Sequence, residues 1–169
     1  ARVVAAVSTK EKDELCKNYG VDDVVIYGKE KLDKGMQKAL TKELKSKSTG
    51  GGFSIIYDPI GDCFAEPALR SIGWGGTYLV VGFAAGKIPS FPTNLMLLKG
   101  CAVSGVFIGR FQQEEPQQNA QNLKEIGELL GSGKLTPFIS ETIPMSDSVD
   151  AIERIARRGV VGKVVFIND

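Results

Sequence analysis

The sequence contains no histidine, and this absence excludes several kinds of catalytic site. Ser-His-Asp and Cys-His pairs need an imidazole as the base, so neither exists within these 169 residues. A transition-metal site is also disfavoured, because imidazole is one of the main ligands of such metals. We therefore expect the chemistry of this chain not to be made by the usual side-chain acids and bases.

Cysteine is scarce, and long apolar runs are absent. Cys16, Cys63 and Cys101 are widely spaced and form no CxxC pair, which is typical of reduced thiols in a cytoplasmic protein. No apolar stretch approaches the ~20 residues of a membrane span, so we expect no membrane partner. The net charge of +1 gives no reason to expect a nucleic-acid partner.

Short apolar strands alternate with helix-forming segments over the first two thirds of the chain. Strands that are apolar on both faces and separated by helices indicate a parallel sheet covered on both sides, a doubly wound α/β fold. The lysine-rich runs 29–34 and 42–47 are interleaved with acidic residues, as is usual for solvated helix surface. The predicted strands are 3–7, 23–27, 53–57, 77–81 and 102–108, and the predicted helices are 10–18, 32–47, 64–72 and 94–98.

The last third has a different pattern. Residues 112–121 are polar and Gln-rich, and we expect them to form an exposed lead into a helix over 122–130. Residues 135–143 are predicted to be extended, and a helix should run from Ser146 to about Arg158. A final strand is predicted over 163–167, and these two strands are not expected to extend the first sheet.

Ligands of a parallel α/β sheet bind at the carboxyl ends of its strands, so the residues just after each strand are candidates. Ser8 and Lys12 follow the first predicted strand, where helix N–H groups and cations suit a phosphate. An NAD site usually has an acid at this strand end, and its absence favours NADP. The alternative is that Ser8 only caps a helix and Lys12 is a surface charge.

The ends of the next predicted strands also contain candidates. The ring of Tyr27 is placed to lie on an adenine, or to pack as an ordinary half-buried aromatic. Gly61 lets the backbone approach a ligand closely, although Asp58-Pro59-Ile60-Gly61 also suits a plain β-turn. Residues 81–84 place a glycine at a strand end, with backbone groups available to an amide-bearing ring. Trp74 and the glycines around it are interpreted as a tight turn.

The order and spacing of these segments carry a family resemblance. The sequence resembles the quinone oxidoreductase branch of the medium-chain dehydrogenase/reductase family, the zinc-free relatives of alcohol dehydrogenase that include zeta-crystallin. The resemblance covers essentially all of the chain and is most specific over 57–86. It implies a Rossmann-type fold, NADPH as hydride donor, and a quinone or enone as the small-molecule substrate. The segments are AVSTKEK, DDVVIY, YDPIGD, LRSIGWGGTYLVVGFAAGKIP, NLMLLK, GVFIG and GKVVFI.

Carried over by position, the resemblance implies a cofactor site without a catalytic side chain or a metal. It places Ser8 and Lys12 near the adenosine 2′-phosphate, Tyr27 at the adenine ribose and Gly61 near the middle of the cofactor. Lys163 would reach a cofactor phosphate, or would be an ordinary exposed lysine at a strand start. The residues lining the nicotinamide side would be Val81, Gly82, Phe83, Ala84, Val106, Phe107 and Ile108.

The resemblance also predicts missing parts. In the family, a catalytic domain, a first strand and a GAAGGVG-type loop precede the segment with which this sequence begins, so we expect a fragment. Residues 1–133 would be a partial NADP-binding domain, and residues 134–169 the C-terminal part of the catalytic domain. The missing strand would lie between strands 3–7 and 53–57, leaving unpaired backbone groups at ~1 kcal/mol or more each. We expect the isolated piece to be unstable and inactive, and the full-length form to be a homodimer paired through residues 102–108.

Two other functions stay open. One is a non-catalytic, cofactor-binding or structural protein of Rossmann type, as some crystallins are. The other keeps the fold and changes the substrate, as in an enoyl or alkenal reductase.

Overall fold

The computed structural model describes residues 1–157 and 159–168 and divides the chain into two units, Ala1–Ile108 and Gly109–Asp169. In the first unit, strands alternate with helices, and each strand pairing is parallel, which confirms the predicted parallel α/β fold. The strands are β1 (Val4–Val7), β2 (Asp23–Ile26), β3 (Phe53–Asp58), β4 (Ile72–Val80) and β5 (Ala102–Gly105), and the helices are α1 (Lys10–Asn18), α2 (Lys34–Lys47), α3 (Asp62–Arg70) and α4 (Thr93–Lys99).

The sheet of this unit is in two sections, β1-β2 and β3-β4-β5. Within the described residues, β1 and β3 are not hydrogen-bonded to each other, so each has one edge without a strand partner. The strands of each section end in register: Val7 lies opposite Ile26, and Asp58 lies opposite Val80. The carboxyl ends of neighbouring strands therefore meet at one edge of each section.

Side chains rather than backbone hydrogen bonds join the two sections. Val25 of β2 is fully buried against Leu40 and Leu44 of α2, and Phe53 of β3 packs against the same cluster. Burying a side chain of this size contributes about 1.5–3 kcal/mol. Helix α2 is thus a common support for both sections. A second cluster holds α3 and α4 on β4 through Ala65, Leu69, Ile72, Tyr78 and Leu95.

Strand β4 begins earlier than the sequence predicts. Ile72, expected at the end of a helix, instead opens the strand opposite Phe53. Phe53 pairs with Ile72, and the next pair is Ile55 with Thr77. An advance of two residues along β3 therefore corresponds to an advance of five residues along β4. The extra residues, Trp74 and its glycines, form a bulge in β4 rather than a tight turn between elements.

Strand β5 is shorter than predicted. It ends at Gly105 because its partner β4 ends at Val80, and the N–H of Val106 donates the last bond, 2.9 Å long, to the Val80 carbonyl. Val106 and Phe107 therefore form a connection, and Ile108 opens helix α5 (Ile108–Glu114). The predicted strand over 102–108 is wrong in its last three residues.

The Gln-rich segment is exposed, as predicted, but it is itself helical rather than a lead into a helix that starts at residue 122. Helix α5 is followed by α6 (Pro116–Gly131), in which proline occupies the first turn, where its missing N–H costs nothing. The glutamines stabilise α6 through pairs one turn apart, Gln118 with Asn122 and Gln121 with Glu125, each at 2.9 Å.

The rest of the second unit contains a parallel strand pair and one helix. Strand β6 (Ile139–Pro144) starts later than the extended segment predicted from residue 135, and it pairs with β7 (Lys163–Ile167). Helix α7 (Ser148–Ala156) follows a 3-10 turn at Met145–Asp147. The helix end predicted near Arg158 lies outside the described residues. The predicted domain boundary between residues 133 and 134 stays a prediction.

Candidate functional site

The turn after β3 and the loop after β4 are joined by backbone hydrogen bonds. These segments, residues 58–61 and 81–86, are called the paired loops below. Carbonyl groups of the turn accept from N–H groups of the loop: Asp58 from Val81 at 2.9 Å, Pro59 from Ala84 at 3.0 Å and Ile60 from Ala85 at 2.9 Å. The paired loops therefore form one wall at the carboxyl edge of β3 and β4.

A buried carboxylate holds the first of the paired loops. The side chain of Asp58 accepts from the backbone N–H groups of Ile60 at 2.8 Å and Gly61 at 3.1 Å, and from the hydroxyl of Tyr78. Burial, and next the hydrogen bond to Asp58, raise the pKa of the Tyr78 hydroxyl well above its usual value. Tyr78 therefore stays protonated and keeps donating to the carboxylate.

Sequence reasoning missed the roles of Asp58 and Tyr78. An Asp directly before Pro, with Gly at the fourth position, is a typical signature of a turn in which the Asp side chain accepts from backbone N–H groups. That signal was available for Asp58. Tyr78 is 20 residues away, in a strand that looks uniformly apolar, and local patterns do not show that its hydroxyl meets this turn.

Gly61 has a backbone conformation that other residues rarely adopt, with φ +70° and ψ −145°. A Cβ atom there would lie 3.1 Å from the Phe83 ring and 3.3 Å from the Lys87 carbonyl oxygen. The space for a side chain is therefore taken by the second of the paired loops. Glycine at this position permits the two loops to approach each other closely.

The residues predicted to line the nicotinamide side lie at neighbouring strand ends. Val81 and Gly82 are half-buried, whereas Phe83 and Ala84 are exposed. Val106 is held beside the end of β4 by its bond to Val80, and Phe107 and Ile108 follow it. Phe107 is 74% exposed and Ile108 62%, so this edge presents an apolar surface of the kind that contacts a flat ring.

Ser8 and Lys12 lie after β1, as predicted, but Ser8 is not the helix cap. The N-cap of α1 is Thr9, whose Oγ1 accepts from the backbone N–H of Lys12 at 3.3 Å. Ser8 and Lys12 are both half-buried, and the one buried acid of α1, Asp13, is 2.8 Å from Lys17. A hydroxyl and an ammonium group are donors of the kind that binds a phosphate monoester.

Tyr27 packs as an ordinary aromatic residue in the structure. Its N–H donates to the Val7 carbonyl at 2.9 Å, and its ring centroid is 4.7 Å from that of Phe64 in α3. The contact fixes the ring next to the carboxyl ends of β1 and β2. A role at the adenine ribose stays a prediction.

Lys163 lies in the second unit, at the exposed start of β7, where its N–H donates to the Phe138 carbonyl at 2.9 Å. Its assignment to a cofactor phosphate stays a prediction. In the described part of the chain, no group of three or more His, Cys, Asp and Glu residues could hold a metal ion. Over the same residues, every helix is too short or too polar to cross a bilayer.

Several known proteins are similar to this chain in sequence or in fold. It is 34% identical to Quinone oxidoreductase-like protein 2 of Bos taurus and 31% identical to the homolog of that protein in Nematostella vectensis, in each case over 98% of its length. The chain spans about half the length of these curated relatives, 45% and 43%.

A solved structure and a family model extend this similarity. A mycobacterial protein solved in complex with NADPH superposes with a TM-score of 0.82 at 23% identity, over 98% of this chain and 48% of its own. This confirms the Rossmann-type fold, and the predicted resemblance to quinone oxidoreductases is confirmed as well. The family model described as zinc-binding dehydrogenase matches residues 1–125. The chain belongs to the zinc-binding dehydrogenase family.

Proposed function

We propose that this chain carries the NADPH-binding part of an oxidoreductase that transfers hydride to quinones or similar conjugated carbonyl compounds. The observation that carries the proposal is the set of paired loops at the carboxyl edge of a parallel sheet. The similarity to quinone oxidoreductase-like proteins and to an NADPH complex supports it.

The two ends of the site have different chemistry and different roles. Ser8 and Lys12 bind the adenosine 2′-phosphate, and Tyr27 lies at the adenine ribose. Gly61 lies near the middle of the cofactor, and Lys163 contacts a phosphate. NADPH supplies the hydride when bound, so the protein has only to orient it. The apolar residues that hold the nicotinamide ring and exclude water from it are Val81, Gly82, Phe83, Ala84, Val106, Phe107 and Ile108.

No zinc ion and no catalytic side chain is needed in this proposal, because hydride transfer depends on placing donor and acceptor in contact. The parent protein is proposed to act as a cytoplasmic homodimer. Among the strands that the structure describes, β5 is the last of the β3-β4-β5 section, and its outer edge is available for pairing between subunits.

The substitution Ser8→Asp in the full-length protein tests the cofactor assignment. A carboxylate there repels the 2′-phosphate and accepts from ribose hydroxyls, so we expect the preference to move from NADPH towards NADH. Losing a charge-assisted contact of about 1.5–3 kcal/mol should weaken NADPH binding by about 10- to 100-fold. Fluorescence titration with both cofactors measures the change, and Ser46→Asp, on the exposed surface of α2, is the matched control.

The result that contradicts the assignment is an equal loss of NADPH and NADH affinity in Ser8→Asp. The activity itself is tested by NADPH consumption with a simple quinone. Binding without consumption would support the non-catalytic alternative, and absence of both would refute the proposal. A panel of enones and enoyl thioesters beside the quinones distinguishes an enoyl or alkenal reductase.

A further inference from the structure

A groove of about 650 Å³ lies between α2, α3 and α4, and cations dominate its walls. We call it the basic groove. Its charged lining residues are Lys34, Lys38, Lys45, Arg70, Lys99 and Glu66. Five positive charges and one negative charge surround a cavity whose remaining walls are partly apolar, and such walls strengthen the positive potential inside it.

Few of these charges are neutralised. Arg70 is paired with Glu66, at 2.6 Å between Nη2 and Oε1. Within residues 1–157 and 159–168, no carboxylate forms an ion pair with Lys34, Lys38 or Lys45. These three lysines are exposed, as the sequence predicted for the surface of α2, and their charges are available to a ligand.

Lys99 is fixed in the wall of the basic groove. Its Nζ donates to the Ile72 carbonyl at 2.6 Å, which holds the ammonium group against the sheet. Burial, followed by the charges of Lys45 and Arg70, lowers the pKa of Lys99. Lys99 is thus repelled by Lys45 and by Arg70, and a bound anion would relieve that repulsion.

The basic groove is separate from the cofactor site. Lys99 is anchored at Ile72, the first residue of β4, whereas the paired loops follow Val80, the last residue of that strand. The two sites therefore lie at opposite ends of β4. Nothing in the cofactor proposal uses the cations of the basic groove.

We propose that the basic groove binds a small molecule that carries two or more linked phosphate groups. Its volume falls within the range of about 300–1,000 Å³ typical of small-ligand sites. Lys38 and Lys45 are separated by about 10 Å along α2, at ~1.5 Å per residue, so their flexible side chains can contact a linked anion from both ends. A single inorganic phosphate would leave one end of the basic groove uncompensated.

Calorimetric titration of the full-length protein with tripolyphosphate tests this proposal. NADPH is included at one equivalent per chain, so that the cofactor's own site is filled without an excess of NADPH, which also carries linked phosphates, competing for the basic groove. We expect one tripolyphosphate to bind per chain, at least tenfold more tightly than inorganic phosphate. The affinity for tripolyphosphate should fall as the salt concentration is raised. The double variant Lys38→Gln/Lys45→Gln should lose at least tenfold in affinity. The control Lys29→Gln/Lys42→Gln removes the same charge from positions outside the groove and should lose less than twofold.

Equal losses in the two double variants would overturn the proposal, because binding would then follow net charge alone. Absence of tripolyphosphate binding would also overturn it. An acidic peptide or a single-stranded oligonucleotide that binds more tightly than tripolyphosphate would replace the small molecule with a macromolecular partner. If NADPH itself fails to bind, the comparison of variants still tests the basic groove, so the two proposals fail separately.

Discussion

Replacing Tyr78 by Phe removes one donor from the buried carboxylate of Asp58 and leaves the ring in place. Tyr78 is 1% exposed, and its ring keeps its edge-on contact with Phe91 at 5.1 Å between centroids. A hydrogen bond to a charged group contributes about 1.5–3 kcal/mol. We therefore expect the free energy of unfolding of the full-length protein to fall by about 2 kcal/mol at about pH 8.

The loss should depend on pH in a defined direction. The pKa of Tyr78 is higher in the folded protein than the value of about 10 in an unfolded chain. Its contribution to stability is therefore fully present below about pH 10 and is lost as the pH rises further. The loss is up to ~1.4 kcal/mol per pH unit. By about pH 11, the stability difference between the wild type and Tyr78→Phe should shrink to less than half of its value near pH 8.

Urea unfolding followed by circular dichroism, at several pH values between about 8 and 11, measures this difference. The control is Tyr57→Phe, because Tyr57 is 66% exposed in the neighbouring strand and its substitution should change stability by less than about 0.5 kcal/mol. A difference between wild type and Tyr78→Phe that stays constant over the whole pH range would refute the reasoning, as would an effect no larger than that of Tyr57→Phe.

Two further substitutions test the site. Gly61→Ala places a Cβ against Phe83 in a backbone conformation that suits glycine. It should lower the free energy of unfolding in urea by about 1–3 kcal/mol and weaken NADPH binding in the fluorescence titration. An unchanged stability would contradict the close approach of the paired loops. Thr9→Ala should cost about 1 kcal/mol through loss of the α1 cap. Ser8→Ala should change the unfolding free energy by less than about 0.5 kcal/mol, and equal effects of the two would contradict the assignment of the cap.

The elements of the first unit could be predicted because each strand is a short apolar run bounded by glycine or polar residues. The errors come from interactions that a local pattern does not contain. The bulge at residues 73–76 exists because Ile72 pairs with Phe53, a partner 19 positions away in the sequence. Helix α5 was not predicted, because it is exposed and has no buried residue. A sequence pattern identifies a helix by an apolar stripe that faces the core, and α5 has none.

The position of the candidate site could be predicted, but the contacts that build it could not. The residues after each strand follow from the topology of a parallel sheet, and the structure places Ser8, Gly61 and the 81–84 segment at strand ends as expected. The hydrogen bonds between the paired loops could not be read from the sequence, since they depend on how far each strand extends. The link between Asp58 and Tyr78 is a long-range contact of the same kind.

The hydrogen bonds between the paired loops have a consequence for the thermodynamics of binding. The backbone of both loops is already ordered by protein contacts, so little conformational entropy remains to be lost when a ligand settles against them. Substitutions that loosen these contacts without touching the ligand should therefore weaken binding through its entropy, with the enthalpy nearly unchanged. We therefore expect the carboxylate of Asp58 to increase ligand affinity without contacting the ligand, because it limits the conformations that the first of the paired loops adopts in the unliganded protein.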